Sequence, residues 1–223
     1  MKVLAFNGSP RKNWNTEQLL RKALEGARSA GAETELIQLY DQEFKGCVSC
    51  LACKRKNSKT NGLCAYKDAL TPILEKAMEA DVLIVGSPVY YDYPTAQARA
   101  FLERLMFPLD PYMVDESGKR IRYLNKTVPT AIIYTMNCPE WLMDKVNYPT
   151  ILGANEKAMK RLFGYCETLN SCDTFQYTDY SLYDCNLFNA EKKAIQKEKQ
   201  FPVDLQNAFD LGVRLVKKAE EAK

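Results

Sequence analysis

The strongest constraint lies near the start of the chain, where Lys2-Val3-Leu4-Ala5-Phe6 forms a short apolar run closed by Asn7-Gly8-Ser9-Pro10. A run of that length bounded by turn residues predicts a buried strand that ends in a loop. Leu19, Leu20, Ala23, Leu24 and Ala27 then recur at helical spacing, with Asn15 and Gln18 three apart as a capping pair and Gly31 as the stop. A strand that runs straight into a helix belongs to a βαβ unit, so a second, parallel strand must follow. Val82-Leu83-Ile84-Val85 supplies one, since an unbroken apolar run suits a central strand covered on both faces. Thr34 to Leu39 mixes polar with apolar residues, as an edge strand does.

The rest of the chain continues the alternation. Leu70, Ile73, Leu74, Ala77 and Met78 mark a helix, Thr95 to Met106 another, and Val128 to Tyr134 a strand. Asn155 to Cys166 reads as a further helix and Thr174 to Tyr177 as the last strand, before a C-terminal helix with Leu205, Ala208, Phe209, Gly212, Val213 and Val216 as its stripe. The expected fold is α/β, a doubly wound five-stranded parallel sheet with helices on both faces, in one domain over residues 1–223. An insertion near 107–125 and a C-terminal extension near 177–223 exceed ordinary connections. Ligands are expected at the carboxyl ends of the strands.

Composition removes several kinds of chemistry. The chain has no histidine, which eliminates Ser-His and Cys-His nucleophile pairs and imidazole metal ligands. A cofactor that carries its own chemistry needs none. A net charge of +3, from 31 basic and 28 acidic residues with no basic stripe, gives nucleic acid no binding face. No leader-like or bilayer-length apolar run occurs, so the expectation is a cytoplasmic protein with no membrane partner.

Ser9-Pro10-Arg11-Lys12-Asn13-Trp14-Asn15-Thr16 lies where a strand meets a helix N-terminus, whose free N–H groups and dipole favour an anion. Ser9, Asn15 and Thr16 add side-chain donors and Arg11 adds charge, so the loop can cradle a monophosphate; an ordinary capped turn has the same composition. It matches neither the dinucleotide fingerprint nor the Walker pattern. After the third strand, Pro88 directs the backbone of Val89, Tyr90 and Tyr91 toward a flat ring, and the tyrosines offer stacking surface. Thr135-Met136-Asn137, after the fourth strand, is placed to close over the same ligand.

These two segments, Asn7 to Thr16 and Gly86 to Tyr91 with Pro94 to Leu105 behind it, resemble the cofactor loops of the flavodoxin-like NADPH-dependent FMN reductase and iron-sulfur flavoprotein group. The resemblance covers about residues 1–137; Trp14 stands where that family usually has glycine. It implies FMN held by Ser9, Arg11, Asn15, Thr16, Pro88, Val89, Tyr90 and Tyr91. It also implies reduced NAD(P)H as donor, a quinone, flavin or other small molecule as acceptor, and a homodimer or homotetramer. The alternative is an FMN electron carrier between protein partners, and a third reading is a thiol- or metal-binding regulatory module without flavin.

Eight cysteines are present, four of them in Cys47-x-x-Cys50-x-x-Cys53 with Cys64 beyond. The tight spacing resembles the cluster motif of the iron-sulfur flavoproteins, which implies a [4Fe-4S] cluster on Cys47, Cys50, Cys53 and Cys64. Ten residues separate Cys53 from Cys64, a longer gap than that family usually has. Cluster-free relatives carry a similar stretch followed by an acidic residue, as Asp68 is here, so free or redox-active thiols and a zinc site stay open beside the cluster. Cys138, Cys166, Cys172 and Cys185 read as small buried apolar residues.

Overall fold

The computed structural model describes residues 1–222. In chain order it contains β1 (Lys2–Asn7), α1 (Asn15–Ser29), β2 (Glu33–Gln38), α2 (Thr71–Glu79), β3 (Val82–Tyr90), β4 (Tyr93–Pro94) and α3 (Ala96–Met106). Then follow β5 (Val128–Thr135), α4 (Glu140–Met143), α5 (Tyr148–Phe163), β6 (Gly164–Ser171), α6 (Ala190–Lys199) and α7 (Phe201–Glu221). Five parallel strands lie in the order β2-β1-β3-β5-β6, and β4 pairs antiparallel with the end of β3. The doubly wound α/β sheet expected from the alternation is the fold observed.

Strand alternation divides the core in two. Leu4 and Phe6 of β1 join Leu83 and Val85 of β3 on one face, beneath α2, α3 and α5. Val3 and Ala5 join Val82 and Ile84 on the other, beneath α1 and α7. All of these are buried, as the period of two in a strand covered on both sides requires. The last helix, read from sequence within an extension, is therefore a core element: Ala208, Leu211, Leu215 and Val216 fill the second face. It sits directly on α1, where a Cβ added to Gly26 or Gly212 would fall 1.9 Å from a carbonyl oxygen of the facing helix.

Four local expectations are corrected. The helix expected over Asn155–Cys166 runs from Tyr148 to Phe163 and stops at Gly164, whose φ of +91° suits only glycine. The last strand is Gly164–Ser171 rather than Thr174–Tyr177, and Cys166 lies in it; polar residues interrupt this edge strand and mask its pattern. Asn15 does not cap α1: Trp14 occupies that position without a side-chain bond, and Asn15 and Gln18 bond to Phe175 and Asn13 instead. The supposed loop Pro88–Tyr90 continues β3, and the chain turns at Tyr91 and Asp92, both at positive φ.

Candidate functional site

The carboxyl ends of β1, β3 and β5 meet at one hollow of about 130 Å³, lined by Ser9, Arg11, Trp14, Asn15, Thr16, Pro88, Val89, Tyr90, Thr135, Met136, Asn137 and the segment Thr174 to Gln176. Seven of the eight residues read from sequence as cofactor-binding are thus brought together. Tyr91 is not: the turn carries it outward to 99% exposure.

The loop after β1 is pinned from the sheet. Buried Asn7 accepts the Ser9 N–H at 3.0 Å and donates to Gln38 at 2.7 Å. The Ser9 hydroxyl accepts the Arg11 N–H at 3.1 Å. Glu17, buried in the first turn of α1, accepts from Asn13 N–H, Gln38 and Arg21. Burial pushes its carboxyl up, and those bonds outweigh the burial, leaving it below its ordinary 4.5. Behind the loop the Thr16 and Thr135 hydroxyls bond at 2.7 Å, tying the start of α1 to the end of β5. Asn15 and Thr16, in the first turn of α1 whose N–H groups have no partner within the helix, line the hollow.

Residues 174–176, assigned from sequence to a strand, cover this cradle. Arg11 donates to Gln176 O at 2.6 Å and stacks over Trp14 at 3.8 Å. Asn15 donates to Phe175 O at 2.9 Å. Sequence offered no signal for this cover, because its bonds to Arg11 and Asn15 use backbone carbonyls.

The third loop carries the one buried side-chain atom lacking a partner among the described residues, Asn137 Oδ1. Its amide nitrogen donates to Gln176 Oε1 at 2.9 Å, and the backbone carbonyl of Asn137 accepts from buried Lys193 at 3.1 Å. An acceptor stripped of water and left unpaired costs about 1–3 kcal/mol, which a ligand N–H would recover. This orphan acceptor, a donor-rich helix start and the tyrosine-lined end of β3 suit a flavin mononucleotide: phosphate at one end, a ring with both donors and acceptors at the other.

Beyond the shared residues Val89, Met136 and Asn137, a second cavity of about 550 Å³ opens between Cys138–Tyr148 and Leu187–Lys193. Burial, then a bond to Asp92, raises the Tyr148 hydroxyl to about 12; burial also raises Tyr90. A phenol at about 12 keeps its proton at neutral pH, so the Tyr148 hydroxyl is the donor toward Asp92.

The cysteine loop lies on the opposite side of α3. Cys47, Cys50, Cys53 and Cys64 all line one small hollow with Glu103 and Arg104. Cys47 and Cys50 are exposed, Cys53 and Cys64 half-buried, and all eight cysteines are free thiols. Among the described residues no three Cys, Asp or Glu side chains are grouped as the ligand set of a metal ion. Arg104, 1% exposed, holds the loop: its guanidinium donates to Asp68, Tyr66 O, Lys45 O and the Cys64 sulfur. Lys54 donates to Phe107 O and Asp110 O. Burial raises the Cys53 thiol. Of the remaining four cysteines only Cys166 is buried; Cys138, Cys172 and Cys185 are half-exposed, because they sit on loops beyond the strands.

No described helix is long and apolar enough to cross a membrane. Residues 1–130 match the family described as NADPH-dependent FMN reductase. Two iron-sulfur flavoproteins are similar over 104 residues: one from Methanocaldococcus jannaschii, 41% identical over 47% of this chain and 51% of its own, and one from Archaeoglobus fulgidus, 39% identical over 47% and 48%. The chain spans about half the length of these curated relatives. In architecture it is similar to an azoreductase from Bacillus anthracis (TM-score 0.67, 13% identity, 96% and 99% of the two chains covered). It is likewise similar to an NAD(P)H:quinone oxidoreductase from Methanothermobacter marburgensis (TM-score 0.64, 16% identity, 96% of each covered). With more than half of its length matched and the phosphate cradle at the end of β1, the chain belongs to the NADPH-dependent FMN reductase family.

Proposed function

We propose that this protein is an FMN-dependent oxidoreductase that takes electrons from a reduced nicotinamide and delivers them to a quinone, flavin or similar small acceptor. The observation that carries the reading is the convergence of the loops after β1 and β5 and the end of β3 on one hollow that holds the unpaired Asn137 Oδ1. Ser9, Arg11, Asn15, Thr16 and the α1 N-terminus would hold the phosphate, and Val89, Tyr90 and Asn137 the ring. FMN, when bound, supplies the two-electron chemistry that no side chain here provides. The chain's own residues bind and orient it, and the 174–176 cover excludes water.

Titration of the protein with FMN tests this: tight binding with a perturbed flavin spectrum is expected, and Ser9→Ala weakens it about tenfold by removing a donor to a charged group. Unchanged affinity in that variant would sink the assignment of the loop.

The cysteine loop supports a second element, a [4Fe-4S] cluster on Cys47, Cys50, Cys53 and Cys64. Four thiols line one hollow beside Arg104, whose positive charge offsets that of a thiolate-ligated cluster. Iron and acid-labile sulfide after anaerobic purification are expected near four each per chain; values near zero leave free thiols. A homodimer or homotetramer, with residues 107–125 reaching a neighbour's flavin, completes the proposal and is read by sedimentation.

A further inference from the structure

The 550 Å³ cavity beside the cradle is larger than the cradle itself and has a different character. Its walls are mostly apolar and include Pro139, Trp141, Leu142, Val146, Leu187 and Phe188. Several of these large side chains are uncovered: Trp141 is 70% exposed and Leu187 81%. Apolar groups left open around a concave space of this size mark a ligand site.

The charges at its rim decide what kind. Asp173 is paired with Lys193, whose ammonium also donates to Asn137 O. Asp92 is engaged by the Tyr148 hydroxyl. Lys145 lies over the Trp141 ring, 5.3 Å from its centroid. Lys192 lines the same cavity, and among the described residues its ammonium has no side-chain partner. It stands in the first turn of α6, beside Glu191, and its N–H is capped by Asn189, which also lines the cavity. The carboxylates at the rim are therefore already engaged, and the charge left over is positive.

Resting on the flavin reading above, we propose that this outer cavity binds a flat aromatic acceptor that carries a negatively charged substituent, with Trp141 and Phe188 covering the rings and Lys192 selecting the charge. Val89, Met136 and Asn137 form the wall shared with the cradle, so a molecule there would lie against the flavin-bearing loops. The same wall separates the two duties: the inner hollow holds the cofactor, and the outer one chooses its partner by shape and sign.

The test uses the FMN-loaded, oxidised protein and two probes of equal shape, naphthalene-2-sulfonate and the uncharged naphthalene-2-sulfonamide, titrated by calorimetry with FMN content read from absorbance in the same samples. The sulfonate is expected to bind about fivefold more tightly, a rim charge acting through partly exposed geometry. Lys192→Glu should abolish or invert that ratio and Lys192→Arg should keep it, while Trp141→Ala weakens both probes. Steady-state reduction of a sulfonated and an unsulfonated naphthoquinone should show the same shift in the ratio of kcat/KM. Equal affinity for the two probes with FMN bound, or a preference that survives Lys192→Glu, overturns the charge selection alone. Failure of the protein to hold FMN at all overturns the flavin reading and the acceptor role together.

Discussion

The phosphate cradle and the cysteine loop flank the same sheet, yet they are held in opposite ways. The cradle is fastened at many points by residues of the sheet itself: Asn7 of β1, Gln38 of β2, Thr135 of β5 and Glu17 at the head of α1 all bond into it. The cysteine loop hangs mainly on two cations: Arg104, rising from α3 to gather Lys45, Cys64, Tyr66 and Asp68, and its own Lys54, which donates to Phe107 O and Asp110 O. A site built at strand ends is a consequence of the fold; a loop held by two cations keeps its shape through them and through whatever its thiols bind. The difference teaches where each site is vulnerable.

The largest effect is expected from Arg104→Leu. It leaves Asp68 and two carbonyls without their buried donor and should cost about 3 kcal/mol in urea unfolding. Limited proteolysis should then cut first within residues 45–68 while FMN still binds. If the cradle loosens as much as the loop does, the contrast between the two regions fails.

Glu17→Gln strikes the other side. Removing a buried carboxylate that accepts from Asn7, Asn13, Gln38 and Arg21 should cost about 2 kcal/mol and weaken FMN binding. Its pH signature follows from sign: the folded carboxyl titrates below its ordinary 4.5, so its contribution is complete above that value and is lost as pH falls through the lowered folded value. Burial raises the Asp68 carboxyl, but the Arg104 bond and two backbone N–H groups hold it below its ordinary 3.8. Acid unfolding of the wild type should therefore set in below about pH 4. Glu17→Gln and Arg104→Leu should each flatten a separate part of that profile, and identical profiles in both variants would argue against it.

A smaller change, about 1 kcal/mol, is expected for Thr16→Val, which removes the hydroxyl pair with Thr135. An FMN affinity lowered about fivefold with an unaltered cysteine loop would sharpen the separation.

How much of this was legible in the sequence follows the same divide. The strand-to-helix junction at Asn7–Thr16 and the apolar run at Val82–Val85 announce the sheet and its cradle, because buried parallel strands carry an unmistakable pattern. Polar residues in β6 hid that strand, so α5 before it and the strand itself were displaced along the chain. The cover at 174–176 was invisible, since backbone carbonyls make its contacts to Arg11 and Asn15, and so was the outer cavity, which joins segments about 45 residues apart in the chain. Arg104 looked like an ordinary polar position on a helix, and only the fold shows it buried. Tyr91 misled because its neighbours in sequence do face the hollow, whereas two residues at positive φ turn it away.

The contact between α1 and α7, backbone to backbone at Gly26 and Gly212, bears on how the protein is made. The helix that presents the phosphate cradle leaves the ribosome long before α7, which covers part of its apolar face. Until α7 emerges, that part of α1 lacks its cover. Ribosome-bound chains halted at residue 190 are therefore expected to be captured by hydrophobic-binding chaperones, and chains in which an added linker carries α7 clear of the ribosome are expected to be released.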